Sequence, residues 1–259
     1  SAPLIRVRSV VQVHPDPPFL NIYMKNVVVI GANGAIGSAF VSSYVNDSNI
    51  ENIFSLGRAE IRHSSNKIKH FIADITDESA VANFACSLDV NLDEVIIATG
   101  ILHADGINPE KSIKDIDVKT FGEVLRINTI GPAIIGKHLL PLLNNQSKSV
   151  MAFLSARVGS ISDNKLGGWY AYRASKSALN QVIKNFSIEI GRRNKHAIVI
   201  GFQPGTVDSN LSKPFQKNVN KDKLFTPEFS VEKMAHVIKN LTFEDSGNIF
   251  DWSGDIINP

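Results

Sequence analysis

The sequence predicts an α/β protein whose single domain contains a doubly wound, seven-stranded, mainly parallel sheet. From Met24 onward, short runs of β-branched residues alternate with longer amphipathic stretches, a pattern typical of repeated strand–helix–strand units. Runs such as "NVVVI" and "HAIVIGF" are apolar almost throughout, as expected of strands that helices cover on both faces. No linker, repeat or low-complexity tract divides residues 24–259, so we expect one domain.

Seven strands account for the apolar runs. They are predicted at residues 27–30, 52–56, 67–72, 94–99, 149–154, 197–202 and close to 248–251. A helix of about 25 residues should follow the fourth strand, interrupted near residues 131–132, where proline removes a helical hydrogen bond. A second long helix should run from residue 170 to near 190, because apolar residues return there at helical spacing.

Residues 1–23 do not continue this pattern. They begin with serine and carry four prolines ahead of Met24, and we interpret them as a leader or an added segment that precedes the domain of residues 24–259. Their apolar run is short and interrupted by arginine, so we do not expect it to be a signal sequence or a membrane span. No later segment is apolar for long enough to predict a membrane span either.

Composition narrows the possible functions. The chain has 27 Lys and Arg residues against 25 Asp and Glu, for a net charge of +2, without the basic excess that nucleic-acid binding uses. Small molecules are therefore the expected partners. The histidines form no i, i+4 pair, and Cys86 is the only cysteine, so we expect no metal site and a reducing, cytoplasmic location. Apolar neighbours indicate that Cys86 is buried.

A glycine-rich turn follows the first predicted strand, in "VVVIGANGAIGSAF". Such a turn lets the backbone approach a pyrophosphate, and it directs the free N–H groups of a helix N-terminus at the anion. Its place in the first strand–helix–strand unit favours a Rossmann-type dinucleotide site. The residues expected to bind there are Gly31, Asn33, Gly34, Ala35, Ile36 and Gly37.

The second and third predicted strands bear on the identity of the dinucleotide. The second ends in "FSLGR", with Arg58 and no acid. An acid there would bind the adenosine ribose of NAD, whereas arginine can pair with a 2′-phosphate, so NADP(H) is favoured and NAD(H) is the alternative. After the third strand, Asp74 and Ile75 are placed to contact the adenine. A helix-capping role for Asp74 or Asp77 is equally consistent with the sequence.

Tyr172 and Lys176 are four residues apart at the start of the second long helix, so they share one face. A phenol is a poor acid–base catalyst near neutral pH, but a nearby ammonium stabilises the phenolate and lowers the phenol pKa. The spacing is common by chance, and Tyr170 has no such lysine. Ser155 ends the fifth predicted strand, Asn128 lies in the first long helix beside its Gly-Pro break, and "QPGTVDSNL" follows the sixth strand. We expect these features at or next to the carboxyl ends of strands, where an open α/β sheet places its site.

The motifs "YRASKSALN", "RINTIGP", "LSARVGSISDN" and "PGTVDS" together resemble those of the short-chain dehydrogenase/reductase family, in its C-factor-like and Sniffer-like carbonyl reductase subgroup. The resemblance spans nearly all of residues 24–259. It implies an NADP(H)-dependent oxidoreductase that reduces a small ketone or aldehyde, or oxidises the alcohol in reverse. It also implies a homodimer or homotetramer built on the two long helices.

The resemblance also implies roles for single residues. Tyr172 would protonate the carbonyl oxygen, Lys176 would bind the nicotinamide ribose and lower the tyrosine pKa, and Asn128 would hold a water in a proton relay. A mobile lid would follow Asp208. The turns after the fourth and sixth strands would surround the nicotinamide end, through Ala98, Thr99, Gly100, Pro204, Gly205, Thr206 and Val207.

The serine motif departs from the family pattern. The usual "SSxxG" places the catalytic hydroxyl on its second serine, and alignment on Gly159 puts Ala156 there. Ser155 is the expected substitute, although strand alternation would turn it away from the site unless a bulge intervenes. Ser160 is the next candidate, and orientation of the carbonyl by Tyr172 alone stays open.

Two turns also depart from the family. The glycine turn lacks the usual threonine, and the asparagine-rich turn after the fourth strand reads "IATG". Together with the serine, these departures favour a rival hypothesis, a dinucleotide-binding regulatory or signalling protein with little turnover. The intact Asn128, Tyr172 and Lys176 favour the enzyme.

Overall fold

The computed structural model describes residues 23–61 and 65–259. The strands in this part are β1 (Lys25–Ile30), β2 (Ile50–Gly57), β3 (Ile68–Ile72), β4 (Glu94–Ile97), β5 (Ser149–Leu154), β6 (Ala197–Gln203), β7 (Thr206–Val207), β8 (Leu224–Phe225) and β9 (Ile249–Asp251). The α-helices are α1 (Ala35–Asn46), α2 (Glu78–Cys86), α3 (Val118–Leu125), α4 (Gly131–Leu139), α5 (Tyr170–Ile190) and α6 (Pro227–Asn240).

The main sheet has seven strands in the order β3-β2-β1-β4-β5-β6-β9, and every neighbouring pair is parallel. This confirms the predicted Rossmann-type fold in a single domain. The chain moves outward from β1 to β3 and returns to β4 on the other side of β1. The strand order therefore reverses between β1 and β4, and the carboxyl ends of these strands open a crevice suited to a ligand.

Apolar residues fill both faces of the sheet. Along β1, Val28 and Ile30 pack on one face, with Phe84 of α2 and Ile135 of α4 in the same cluster. Val27 and its alternate neighbours pack on the other face, among residues of α1 and α6. Because the central strands are covered on both faces and expose no side-chain row to water, their sequences are apolar almost throughout.

The first long helix is interrupted as predicted. α3 ends at Leu125, one π-helical turn spans Arg126–Ile130, and α4 begins at Gly131. Pro132 has no N–H to donate to the Asn128 carbonyl four residues earlier, which favours a wider turn at this point. The second long helix, α5, matches its predicted range.

Several details differ from the sequence-based expectations. β4 ends at Ile97 instead of at residue 99, and the two-residue strands β7 and β8 were not predicted, because so short a run carries no periodicity. Cys86 is exposed, and the prediction that it is buried is wrong. In α2 the buried side chains are Val81, Phe84 and Ala85, so residue 86 lies on the outer side of the helix.

The predicted boundary at Met24 stays a prediction. Residues 1–22 of the expected leader lie outside the described residues. Its last residue, Tyr23, donates a hydrogen bond from its hydroxyl to Asp93 at 2.6 Å. Across residues 23–61 and 65–259, none of the helices combines the length and the apolar character that crossing a membrane requires.

Candidate active site

The glycines of the turn after β1 let the chain pack closely on itself. Gly31 has a φ of +85°, and a Cβ there would lie 2.7 Å from the Ala98 carbonyl oxygen. A Cβ on Gly37 would lie 2.2 Å from the Gly31 oxygen, so α1 approaches β1 closely. Gly34 precedes α1 without a side-chain cap, and the first N–H groups of this helix are free to bind an anion.

A buried hydroxyl borders this turn. The Thr99 Oγ1 atom is buried and has no hydrogen-bond partner among the described residues, and a Cβ on Gly31 would lie 3.0 Å from the Thr99 methyl carbon. Buried polar atoms normally have partners. The unpaired hydroxyl and the uncapped helix together fit a bound dinucleotide.

The loop after β2 presents Arg58 to solvent. Residues 57–59 carry no carboxylate, and Arg58 is exposed. Asn33 Nδ2 donates to the Ala59 carbonyl at 3.1 Å, and a Cβ on Gly57 would overlap the Asn33 side chain. His70 Nε2 lies 2.9 Å from the same carbonyl, and this nitrogen must donate because a carbonyl only accepts. The loop is therefore held from two sides.

The sequence left open whether Asp74 or Asp77 caps a helix. Asp77 caps α2 by accepting a hydrogen bond from the Ala80 N–H at 3.1 Å. Asp74 accepts hydrogen bonds from the N–H and hydroxyl of Thr76 at 2.9 and 2.8 Å, and the bond from the Thr76 backbone N–H is the main cause that lowers the Asp74 pKa. Asp74 is exposed and the adjacent Ile75 is buried, so the Asp74 carboxylate faces outward.

Tyr172 and Lys176 lie on the first turns of α5, beside the end of β5. Lys176 is 2% exposed; its Nζ donates to the Leu154 carbonyl at 2.8 Å and lies 5.8 Å from the Tyr172 ring centroid. Burial lowers the pKa of Lys176 to about 8 and raises the pKa of Tyr172 to about 12. The expected lowering of the tyrosine pKa is not found, because burial disfavours the phenolate and the ammonium hydrogen bond goes to Leu154.

Asn128 lies in the π turn and is fully buried. Its Oδ1 accepts from the Ile101 N–H at 2.7 Å, and its Nδ2 donates to the Ile101 carbonyl at 2.8 Å and to the Ser175 hydroxyl at 3.1 Å. A Cβ on Gly100 would lie 3.4 Å from Lys176 Nζ. The Asn128 side chain therefore clamps the loop after β4 against α5, and the loop passes directly over the lysine.

The two candidate serines form hydrogen bonds away from the tyrosine. Ser155 Oγ donates to Asn180 Oδ1 at 2.5 Å, two helical turns beyond Tyr172. Ser160 Oγ accepts from the Asp163 N–H at 3.2 Å. Within the described chain neither hydroxyl bonds to Tyr172, and the choice between the serines stays a prediction.

Contacts from α6 and β8 hold the turn after β6 in place. Gly205 has a φ of +82°, and a Cβ there would lie 2.5 Å from the Phe225 ring. Ser230 of α6 donates to the Pro204 carbonyl at 2.7 Å, and Thr206–Val207 pairs with β8. Sequence reasoning missed Ser230, because its partner lies in another element.

Aromatic rings line the space beside Tyr172. The Trp169 ring lies 6.1 Å from the Tyr172 ring and 5.2 Å from the Phe215 ring, between centroids, and His103 lies 5.8 Å from Phe215. Phe215 belongs to the segment expected to form a lid. No group of His, Cys, Asp and Glu residues suited to hold a metal ion occurs within the described ranges.

Comparison with known proteins identifies the family. A family model described as short chain dehydrogenase matches residues 25–220. The 1-hydroxy-2-glutathionyl-2-methyl-3-butene dehydrogenase of Rhodococcus sp. (strain AD45) is 29% identical over 229 residues, which cover 86% of this chain and 95% of that protein. The C-signal of Myxococcus xanthus is 31% identical over 143 residues, covering 55% of this chain and 81% of that protein.

Solved structures share the fold. The carbonyl reductase Sniffer of D. melanogaster aligns with a TM-score of 0.78 at 20% identity, over 91% of this chain and 100% of that one. An NADPH-bound carbonyl reductase from chicken fatty liver aligns with a TM-score of 0.80 at 24% identity, over 91% and 94%. The family resemblance of the sequence motifs is thus confirmed, and the chain belongs to the short-chain dehydrogenase family as an NAD(P)-dependent oxidoreductase.

Proposed function

We propose that the protein reduces a small ketone or aldehyde with NADP(H), and that Tyr172 is the general acid. The observation that carries this proposal is the placement of Tyr172 and Lys176 beside the end of β5, next to the crevice where the strand order reverses. A bound nicotinamide would supply the hydride. Two fold relatives described as carbonyl reductases, one of them NADPH-bound, support this choice of reaction.

Tyr172 has the protonation state that reduction requires. With a pKa of about 12, the phenol is protonated at neutral pH and can donate to a carbonyl oxygen as negative charge develops there. The phenolate left behind would be stabilised by Lys176, whose pKa of about 8 keeps it mostly cationic near pH 7. Pro132 leaves the Asn128 carbonyl without its usual helical donor, so that carbonyl can hold the water that returns a proton.

The dinucleotide would lie across the crevice. The N–H groups of Ala35, Ile36 and Gly37 would bind the pyrophosphate, and Arg58 would pair with a 2′-phosphate, for which a guanidinium fork is well suited. Asp74 would face the adenine amine. The nicotinamide end would be surrounded by residues from the turns after β4 and β6: Ala98, Thr99, Gly100, Pro204, Gly205, Thr206 and Val207.

Replacement of the phenol tests this function. Tyr172→Phe should lower kcat on a panel of small ketones and aldehydes by about 10²- to 10⁴-fold, the usual contribution of general acid catalysis, while NADPH affinity stays unchanged. The matched control is Tyr170→Phe, which removes a hydroxyl two residues away and should keep turnover. Full turnover in Tyr172→Phe would rule out the proposed role.

A signalling function is the second candidate. It is favoured by the similarity to the C-signal and by Ala156 at the position where the family usually has serine. In that case the chain should bind NADPH tightly yet turn over no member of the carbonyl panel. A binding titration with NADPH and an assay of the carbonyl panel therefore distinguish the two candidate functions.

We further propose a homodimer or homotetramer that assembles through α4 and α5, in a cytoplasmic location. A groove of about 460 Å³ lies on this face, and its lining includes Leu140, Phe186 and Ile190. Ile188 nearby is about half exposed. The groove is lined by apolar and polar side chains, and its apolar part beside the exposed Ile188 favours association. Sedimentation equilibrium measures the mass of the resulting assembly.

A further inference from the structure

A carboxyl group from a remote loop meets the first turn of α5. Glu110 lies in the loop between β4 and α3 and is 3% exposed. Its two carboxyl oxygens accept from the Ala171 N–H at 3.2 and 3.3 Å, and its backbone carbonyl accepts from the Trp169 N–H at 2.6 Å. This residue therefore fixes two backbone positions within three residues of Tyr172. No local pattern predicts the contact, because the partners are 61 residues apart in the chain.

The contact replaces a local cap that α5 lacks. Trp169 precedes the helix without a side-chain cap, and the first turn contains no acidic residue. The N–H groups at a helix start need acceptors and carry partial positive charge. Among residues 23–61 and 65–259, Glu110 forms no ion pair, so the helix start is the group that stabilises its carboxylate.

The same contact secures an unusual backbone conformation. Trp169 has a φ of +52°, and the preceding Gly167 and Gly168 have φ values of +66° and +65°. A bulky residue in this left-handed region is a conformational outlier and persists only where its surroundings enforce it. Held in this way, the Trp169 ring lies against the rings of both Tyr172 and Phe215.

We propose that Glu110 is a positioning residue, which places Tyr172 at the reacting carbonyl by holding the start of α5. The proposal rests on the proposed function of this site. Tyr172 directly follows Ala171, so movement of the Ala171 N–H moves the phenol as well. A displacement of about 1 Å in an active site can lower the rate a hundredfold.

Variants of Glu110 test the effect on catalysis. Glu110→Ala should lower kcat by about 10- to 100-fold and leave the Kd for NADPH unchanged, because the hydrogen bonds that Glu110 accepts in the described part of the chain come from Trp169 and Ala171, which are not expected to bind the dinucleotide. Glu110→Gln keeps an acceptor oxygen at the same reach and should restore most of the rate. Should Glu110→Ala fail to fold, Glu110→Asp withdraws the same carboxyl by one methylene and should show the same loss of kcat.

The chain offers a matched control at the amino-terminal end of the central strands, just before β4. Asp93 is also a buried carboxyl, 1% exposed, and it accepts from the Asn26 N–H at 2.8 Å. Asp93→Ala should lower the Tm and leave kcat unchanged when all variants are measured well below their Tm. Equal losses of kcat in Asp93→Ala and Glu110→Ala would overturn the proposal, because loss of stability alone would then explain both.

Amide hydrogen exchange tests the same inference without any turnover. Exchange over residues 169–172, followed by mass spectrometry, reports local opening of the helix start and should be faster in Glu110→Ala but not in Asp93→Ala. Unchanged exchange in Glu110→Ala overturns the inference, and so does faster exchange with an unchanged kcat. A wild-type chain without carbonyl turnover would instead contradict the proposed function, and the exchange result would still decide whether Glu110 holds α5.

Discussion

One physical cause shifts the pKa values of Tyr172 and Lys176 in opposite directions. Burial disfavours the charged form of each side chain, so it raises the tyrosine pKa to about 12 and lowers the lysine pKa to about 8. Between pH 7 and 10 the tyrosine keeps its proton while the lysine loses its charge. The four-residue spacing predicted the pair from sequence, but the direction of the tyrosine shift depends on burial and on the bond to Leu154, which no spacing reveals.

This difference predicts the pH dependence of the reaction. In the reductive direction, kcat/KM for NADPH reports ionisations of the free protein. It should be flat below the Lys176 pKa of about 8 and fall above it, by about tenfold per pH unit, as the ammonium that we propose to bind the ribose becomes neutral. A profile that stays flat to pH 10 would show that the lysine charge is not required.

The role of the serines could not be predicted from single residues. Strand alternation predicts that Ser155 turns away from Tyr172, whereas the structure bonds Ser155 to Asn180, which lies on α5 four residues beyond Lys176. Which hydroxyl, if any, orients the carbonyl depends on contacts between β5, α5 and the following loop. These contacts are set by tertiary packing, so the motif alone could not predict them.

Among the elements, the interrupted helix and α5 were predicted well. The Gly-Pro pair marked the break before α4, and regular apolar spacing marked α5 from Tyr170 to Ile190. The clamp that Asn128 forms on Ile101 could not be predicted, because its partner follows β4 and lies 27 residues away. Local signals thus predicted the elements, whereas contacts between elements determine the site.

The loop after β2 carries a prediction about cofactor choice. Arg58→Ala should raise the Kd for NADPH by about 10- to 100-fold, the range expected when a charged hydrogen bond is lost, and leave the Kd for NADH unchanged. Isothermal titration measures both constants. Arg192→Ala, which removes an exposed arginine just after α5, is the control and should change neither. An equal effect of Arg58→Ala on both cofactors would contradict pairing with a 2′-phosphate.

In the whole molecule, the parallel strands bring motifs that are far apart in the sequence to the carboxyl-terminal end of the sheet. The apolar runs predicted seven strands and one domain, because strands buried on both faces cannot tolerate polar rows. The order of the sheet places the turn after β1, the loop after β4 and the start of α5 around one crevice. The strand order itself is not encoded in any local pattern; short, right-handed connections between parallel strands limit the choices.

Transfer of a labelled hydride is the most direct test of the central claim. The protein is incubated with NADPH carrying deuterium at the transferring position and with the panel of small ketones and aldehydes, and the products are analysed by mass spectrometry. We expect an alcohol with one deuterium on the former carbonyl carbon from the wild-type protein, and about 10²- to 10⁴-fold less from Tyr172→Phe. NADPH binding without label in any alcohol would contradict the account.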